Sequence, residues 1–124
     1  MIFRHFLSMA IVGSFFLTFS ASAHHSHANY IEAEWITLEG TVREIHWMNP
    51  HSWIYLDVAD EDGEVLAWAL EGASVTTLRR DGWTQDSIEA GDTISLRCHP
   101  LKDGARGCLL GYIQMDDGSE KEFD

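Results

Sequence analysis

The stretch "HSWIYLDVAD", residues 51 to 60, alternates strictly, with Ser52, Ile54, Leu56 and Val58 on one face and His51, Trp53, Tyr55 and Asp57 on the other. A period of two is the signature of a strand with one buried face, and the first set has the character of a core. Asp62-Gly63, within "DEDGE", carries the chemistry of a tight hairpin turn, so "VLAWALEG" returns antiparallel as a partner strand. Upstream, "ITLEGTVREIHW" (36 to 47) alternates around Gly40. A glycine inside a strand marks a bulge or a tight bend. The turn at Asn49-Pro50 ends that strand, and the three together form a meander.

After Gly72 the period changes. Ser74 supplies a helix cap and Gly82 a stop, which leaves one or two helical turns in "SVTTLRRDG". "WTQDSIEAGD" offers Thr84 as a further cap and turns at Gly91-Asp92 into a fourth strand, "TISLRC". The loop "HPLKDGARG" leads to a fifth strand, "CLLGYIQM", and a turn at "DDGS" allows a short terminal strand through Phe123. The expected fold is all-β with one short helix: a small five- to six-stranded OB-like Greek-key barrel. A sandwich fragment or an open roll shares the pattern. The barrel ranks first because Gly40 lets the first strand bend between both halves of the ring.

The opening "MIFRHFLSMAIVGSFFLTFSASA" has a weakly basic start at Arg4, an apolar run from Phe6 to Phe19 and an A-x-A site at Ala21 and Ala23. These are the marks of a secretory signal peptide over residues 1 to 23. The run falls short of the roughly 20 apolar residues of a spanning helix, so no stable membrane anchor is expected after cleavage. The mature chain divides into a His-containing N-terminal segment, 24 to 35, and a single domain, 36 to 124, located in the periplasm or secreted. There are 8 Lys and Arg against 20 Asp and Glu, and without Arg4 of the signal the balance is 7 against 20. So acidic a chain repels phosphate backbones, which excludes nucleic acid as a partner. Its two cysteines, Cys98 and Cys108, flank the "HPLKDGARG" loop and are expected to form a structural disulfide in an oxidising compartment, with two unpaired buried thiols as the alternative.

"WMNPHSWIYLDVADEDGEV", "WALEGAS", "LRRDGWTQDSIEAGD" and "HPLKDGARG" occur in that order, and together they closely resemble a group of small exported bacterial proteins, the domain of unknown function 6152 family. The resemblance implies export, a compact β domain and family-typical residues at Asn49, Pro50, His51, Glu71, Gly72, Trp83, His99 and Pro100. Cys98 and Cys108 depart from the family pattern, so the disulfide is a local feature of this chain. The family carries no assigned activity.

OB barrels hold ligands on the face of the second and third strands, between the loops joining strands one to two and four to five. Here those loops are "HWMNPHS" and "HPLKDGARG", and the candidate ligand face comprises Asn49, His51, Trp53, Tyr55, Glu71 and Lys102. In a meander the end of the third strand lies beside the start of the second, which places Glu71 near His51. An alternative is copper or zinc, held by His24, His25 and His27 near a processed N-terminus and by His46, His51 and His99 on the loops. Set against that, Asn49-Pro50 sets a corner and His51 bonds its own loop. No catalytic motif appears; a metal enzyme would have only Glu71 as its acid or base. The acids Asp60, Glu61, Asp62 and Glu64 lack the spacing of a calcium loop. The sequence therefore points to an exported, non-enzymatic binding or accessory module for a small ligand or an envelope protein.

Overall fold

The computed structural model describes residues 27–124; the expected signal peptide, His24 and His25 lie outside the described residues. Six strands and one helix follow in the order β1 (Ile36–His46), β2 (Trp53–Ala59), β3 (Val65–Glu71), α1 (Val75–Arg80), β4 (Thr93–Pro100), β5 (Gly107–Gln114) and β6 (Glu120–Glu122). They are arranged β3-β2-β1-β4-β5-β6, and a parallel pairing of β3 with β5 closes the first five into a ring. This is the OB-like Greek-key barrel expected, with the sixth strand added at the end of β5. Closure excludes the open roll.

One strand must serve two halves of the barrel. Residues Thr41 to His46 of β1 pair with β2, while Ile36 to Thr41 pair with β4. Gly40 sits at that crossing, where a Cβ would run into the carbonyl oxygen of Asp57 on β2. A register shift between Val42 and Glu44 completes the bend. The alternation of β2 is realised as expected: Ser52, Ile54 and Leu56 are buried, and Trp53, Tyr55 and Asp57 are half-buried on the outer side. Inside the ring, Val42, Ile54, Leu56, Leu70, Leu96 and Leu110 form the centre of the core.

The open end of the barrel is plugged from the second half of the chain. Ser74 caps α1, its side chain accepting the Thr77 N–H, and Leu78 is the helix's buried residue. Asn49 Oδ1 accepts the Val75 N–H at 3.0 Å, which ties the cis Asn49-Pro50 corner to the start of α1. Trp83 and Phe123 meet edge to face at 5.0 Å, and the Trp83 indole donates to the Glu122 carbonyl at 2.6 Å. Phe123 donates its N–H to Gly111 and accepts from Ala73. Those two bonds stitch β5 to the end of β3, so the terminal segment finishes what the β3–β5 pairing begins.

Cys98 and Cys108 are fully buried and joined. They lie diagonally across the β4–β5 ladder, where Cys98 faces Leu110 and Pro100 faces Cys108. Fixing a loop of this size in the unfolded chain contributes about 2–3 kcal/mol in the chain-entropy account.

Residues 27 to 35 are docked on the barrel as a strap. A short 3-10 turn, His27–Asn29, precedes Tyr30, which bridges to Leu101. Ile31 donates to the Pro100 carbonyl, and Lys102 donates to the Asn29 carbonyl. At the far end, Trp35 lies over Gly111, a position where any Cβ would strike its ring. The Arg97 guanidinium stands 4.8 Å from the Trp35 and Tyr112 ring centres and pairs with Glu120 through two 2.7 Å bonds. Trp35 is 45% exposed, yet it is held on three sides.

Gly40→Ala is expected to destabilise the barrel by about 1–3 kcal/mol, because β1 and β2 must separate to admit the methyl group. Urea unfolding checks this; an unchanged midpoint would mean that the crossing tolerates a side chain.

Candidate functional site

Directly opposed residues of neighbouring strands share a face. On the outer side of the barrel this brings His46 of β1 opposite Trp53 of β2, Trp53 opposite Glu71 of β3, and Glu71 beside Leu109 of β5. Leu109 and Tyr30 are buried but stand outside the main core cluster. They form a second, smaller apolar layer between the strap and the outside of the barrel. Where the strap stops short of β2, a cleft of about 490 Å³ opens, lined by Tyr30, Trp53, Ala69, Glu71, Leu101 and Arg106, with Asn29 and Gly107 at its edges.

Glu71 forms the floor. It is 5% exposed, and a carboxylate so buried needs hydrogen bonds to offset its lost hydration. The Tyr30 hydroxyl donates to Oε2 at 2.6 Å. Oε1 lies 3.3 Å from His51 Nδ1, but that nitrogen is buried without an aligned hydrogen-bond partner. Burial first, then the bond to Glu71 and the charges of Glu71 and Asp124, push the Tyr30 hydroxyl well above its ordinary value near 10. The phenol therefore remains a donor at any physiological pH. Asp124 lies near the same network, close enough for its charge to act on Tyr30 and Glu71. Its carboxyl is raised, chiefly by burial and further by Glu71 and Glu122, against the lowering effect of His27 and His51; His27 Nε2 is 3.8 Å from Asp124 Oδ2.

The residues expected on the ligand face divide. Trp53 and Glu71 line the cleft, and His51 contacts Glu71 as the meander predicts. Tyr55 is on the same outer face one register step away, edge-on to His46 at 5.1 Å. Asn49 is committed to the start of α1, and Lys102 is exposed, with its backbone N–H bonded to the Asn29 carbonyl. Neither lines the cleft.

Among the described residues, the histidines do not converge. His46 contacts Glu44 at 3.0 Å, His51 faces Glu71, and His27 lies between Glu32 and Asp124. His99 was expected in the loop, but β4 runs on through Pro100, so its ring stands on the outside of β4. There it bonds the Glu34 carbonyl at 2.7 Å and packs against Trp35. Among the described residues, no group of three or more His, Cys, Asp or Glu is placed to hold a metal ion, and His24 and His25 lie outside them.

Tyr30, Leu101 and Arg106 are members of the cleft that the ligand-face reading leaves out. Leu101 and Arg106 belong to the "HPLKDGARG" loop, so assigning that whole loop to the site reaches them. Tyr30 sits in "HANYIEAEW", which has no periodicity and gives no sign of the strand it will meet.

A second groove, about 300 Å³, lies between Trp83 and the β4–β5 edge. Its acids, Asp92 and Asp116, are exposed, so it lacks a desolvated charge to orient a ligand.

A family model described as a family of unknown function (DUF6152) matches residues 14–110. The chain belongs to this family. No curated protein and no solved structure matches it. The DUF6152 match spans β1 to β4, the strap and the first residues of β5, and so takes in the whole cleft. Among the described residues of this family member, no helix is long and apolar enough to cross a membrane.

Tyr30→Phe is expected to cost about 1.5–3 kcal/mol at neutral pH, the range for a hydrogen bond to a charged group. The folded state holds the Tyr30 proton above the pH at which the unfolded chain releases it. Stability from this group is therefore intact below pH ~10 and declines as pH rises toward the folded value. Urea midpoints from pH 7 to 11 should show that alkaline decline in the native protein and a shallower one in the variant; equal slopes would sever Tyr30 from Glu71.

Proposed function

We propose that this protein is an exported, non-enzymatic binding module that takes a small ligand in the cleft formed by Trp53, Glu71, Tyr30 and Leu101. One observation carries this reading: a carboxylate only 5% exposed forms the floor of a concave, aromatic-walled site. That site lies on the face by which OB barrels take ligands. Its size fits the range of small-molecule pockets, which are mostly apolar with a few placed polar groups. Export is supported by the signal-like first 23 residues and by the joined cysteines, since disulfides persist in oxidising compartments. A binding role is supported by the Tyr30 hydroxyl, whose bond to Oε2 fixes the orientation of Glu71 at the floor of the cleft.

The test is a titration of the uniformly nitrogen-15-labelled mature protein with a mixed set of neutral, cationic and anionic fragments, followed by amide and indole shifts. The expected result is a contiguous set of shifts at the Trp53 indole and the amides of Tyr30, Ala69 and Gly107. Shifts confined to the groove beside Trp83, or none at all, would contradict the proposal.

A further inference from the structure

We infer that the ligand of this cleft carries an ammonium group, which sits over Trp53 and against the Glu71 carboxylate; this rests on the binding role proposed above. Three features of the site converge on that chemistry.

The first is uncompensated charge. Glu71 contacts a phenol and an imidazole, neither of them a permanent cation. An ionised carboxylate has about four lone-pair positions, and the Tyr30 hydroxyl occupies one. Asp124 adds a second acid acting on the same network through Tyr30 and Glu71. Among the described residues, the one permanent cation lining the cleft is Arg106. It is exposed, and its Nε points at the Ala67 carbonyl, 3.4 Å away, on the rim rather than the floor.

The second is the wall. Trp53 faces Glu71 across the β2–β3 ladder on the same outer side. Tryptophan gives the strongest attraction of any side chain to a cation held over its ring. Tyr30, which also lines the cleft, brings a second ring whose hydroxyl is already bonded to Glu71. A cation entering here meets two aromatic side chains and one carboxylate, the groups that recognise alkylated amines.

The third is the field around the site. All 20 acids, but 7 of the 8 Lys and Arg, lie in residues 27–124. Such a surface concentrates cations and repels anions before contact. An anionic ligand would have to approach against that field and then settle on a buried carboxylate, while a neutral apolar one would leave Glu71 no better compensated than before.

The experiment compares choline with 3,3-dimethylbutan-1-ol, its neutral carbon isostere, on the mature protein. Affinities are read from the Trp53 indole and the Ala69 and Gly107 amides. Choline is expected to bind about tenfold or more tightly than the isostere and to lose about that factor in Glu71→Gln, which preserves the side chain's shape and leaves an oxygen for the Tyr30 hydroxyl. The ligand comparison uses the native protein, so it decides the matter even if Glu71→Gln does not fold. Equal affinities at the same nuclei would overturn the ammonium inference and leave the binding role standing. Undiminished choline affinity in a folded Glu71→Gln would also overturn it. If neither compound moves those nuclei, while fragments of other chemistry do, the inference fails and the binding role survives; if no compound of any class does, both fail.

Discussion

A carboxylate removed from water must find donors or lose its charge, and Glu71 is 5% exposed at the end of a central strand. The donor that holds it comes from 41 residues away, the hydroxyl of Tyr30. That bond carries more than its own free energy. It draws the strap across the outside of the barrel, and the strap buries Leu109 and extends β4 through Pro100 by accepting and donating bonds along it. Where the strap ends, the face of β2 and β3 remains open. The cleft is therefore the space between a covered and an uncovered part of one sheet face, and Glu71 marks the boundary.

The barrel beneath makes this arrangement possible. Gly40 allows β1 to bend between β2 and β4, and the ring closes where Ala69 to Glu71 pair with Gly107 to Leu109. That closure is also what brings the β4–β5 loop, with Leu101 and Arg106, to the edge of the β2–β3 face. Phe123 packs edge-on against Trp83 and lies against Gly72, next to Glu71, so the terminal segment backs the same end of β3. The disulfide stiffens the same β4–β5 hairpin from within. Site and scaffold thus depend on one seam: the short parallel pairing of β3 and β5.

Local signals in the sequence are realised closely. The alternation of β2, the turn at Gly63, the cap at Ser74, the turn at Gly91 and the bend at Gly40 each depend on a few adjacent residues, and the structure places them as expected. The proximity of His51 and Glu71 follows from meander register alone. What local pattern does not contain is which side chain covers which. Asn49 looks like a ligand contact beside His51, but its amide caps α1 across 26 residues of sequence. His99 looks like a loop residue because Pro100 follows it, yet proline's carbonyl still accepts from Ile31, and the strand continues. Tyr30 shows no periodicity because its role comes from a pairing with Leu101 and Glu71 that no neighbouring residue announces.

The central claim is that Tyr30 and Glu71 act as one unit that fastens the strap and shapes the cleft. A double-mutant cycle with Tyr30→Phe, Glu71→Gln and the pair, measured by urea unfolding at neutral pH, tests it most directly. The account predicts a coupling of about 1–2 kcal/mol between the two positions, as for groups in one hydrogen-bonded network. Additive effects would contradict it, because the strap and the carboxylate would then be held independently.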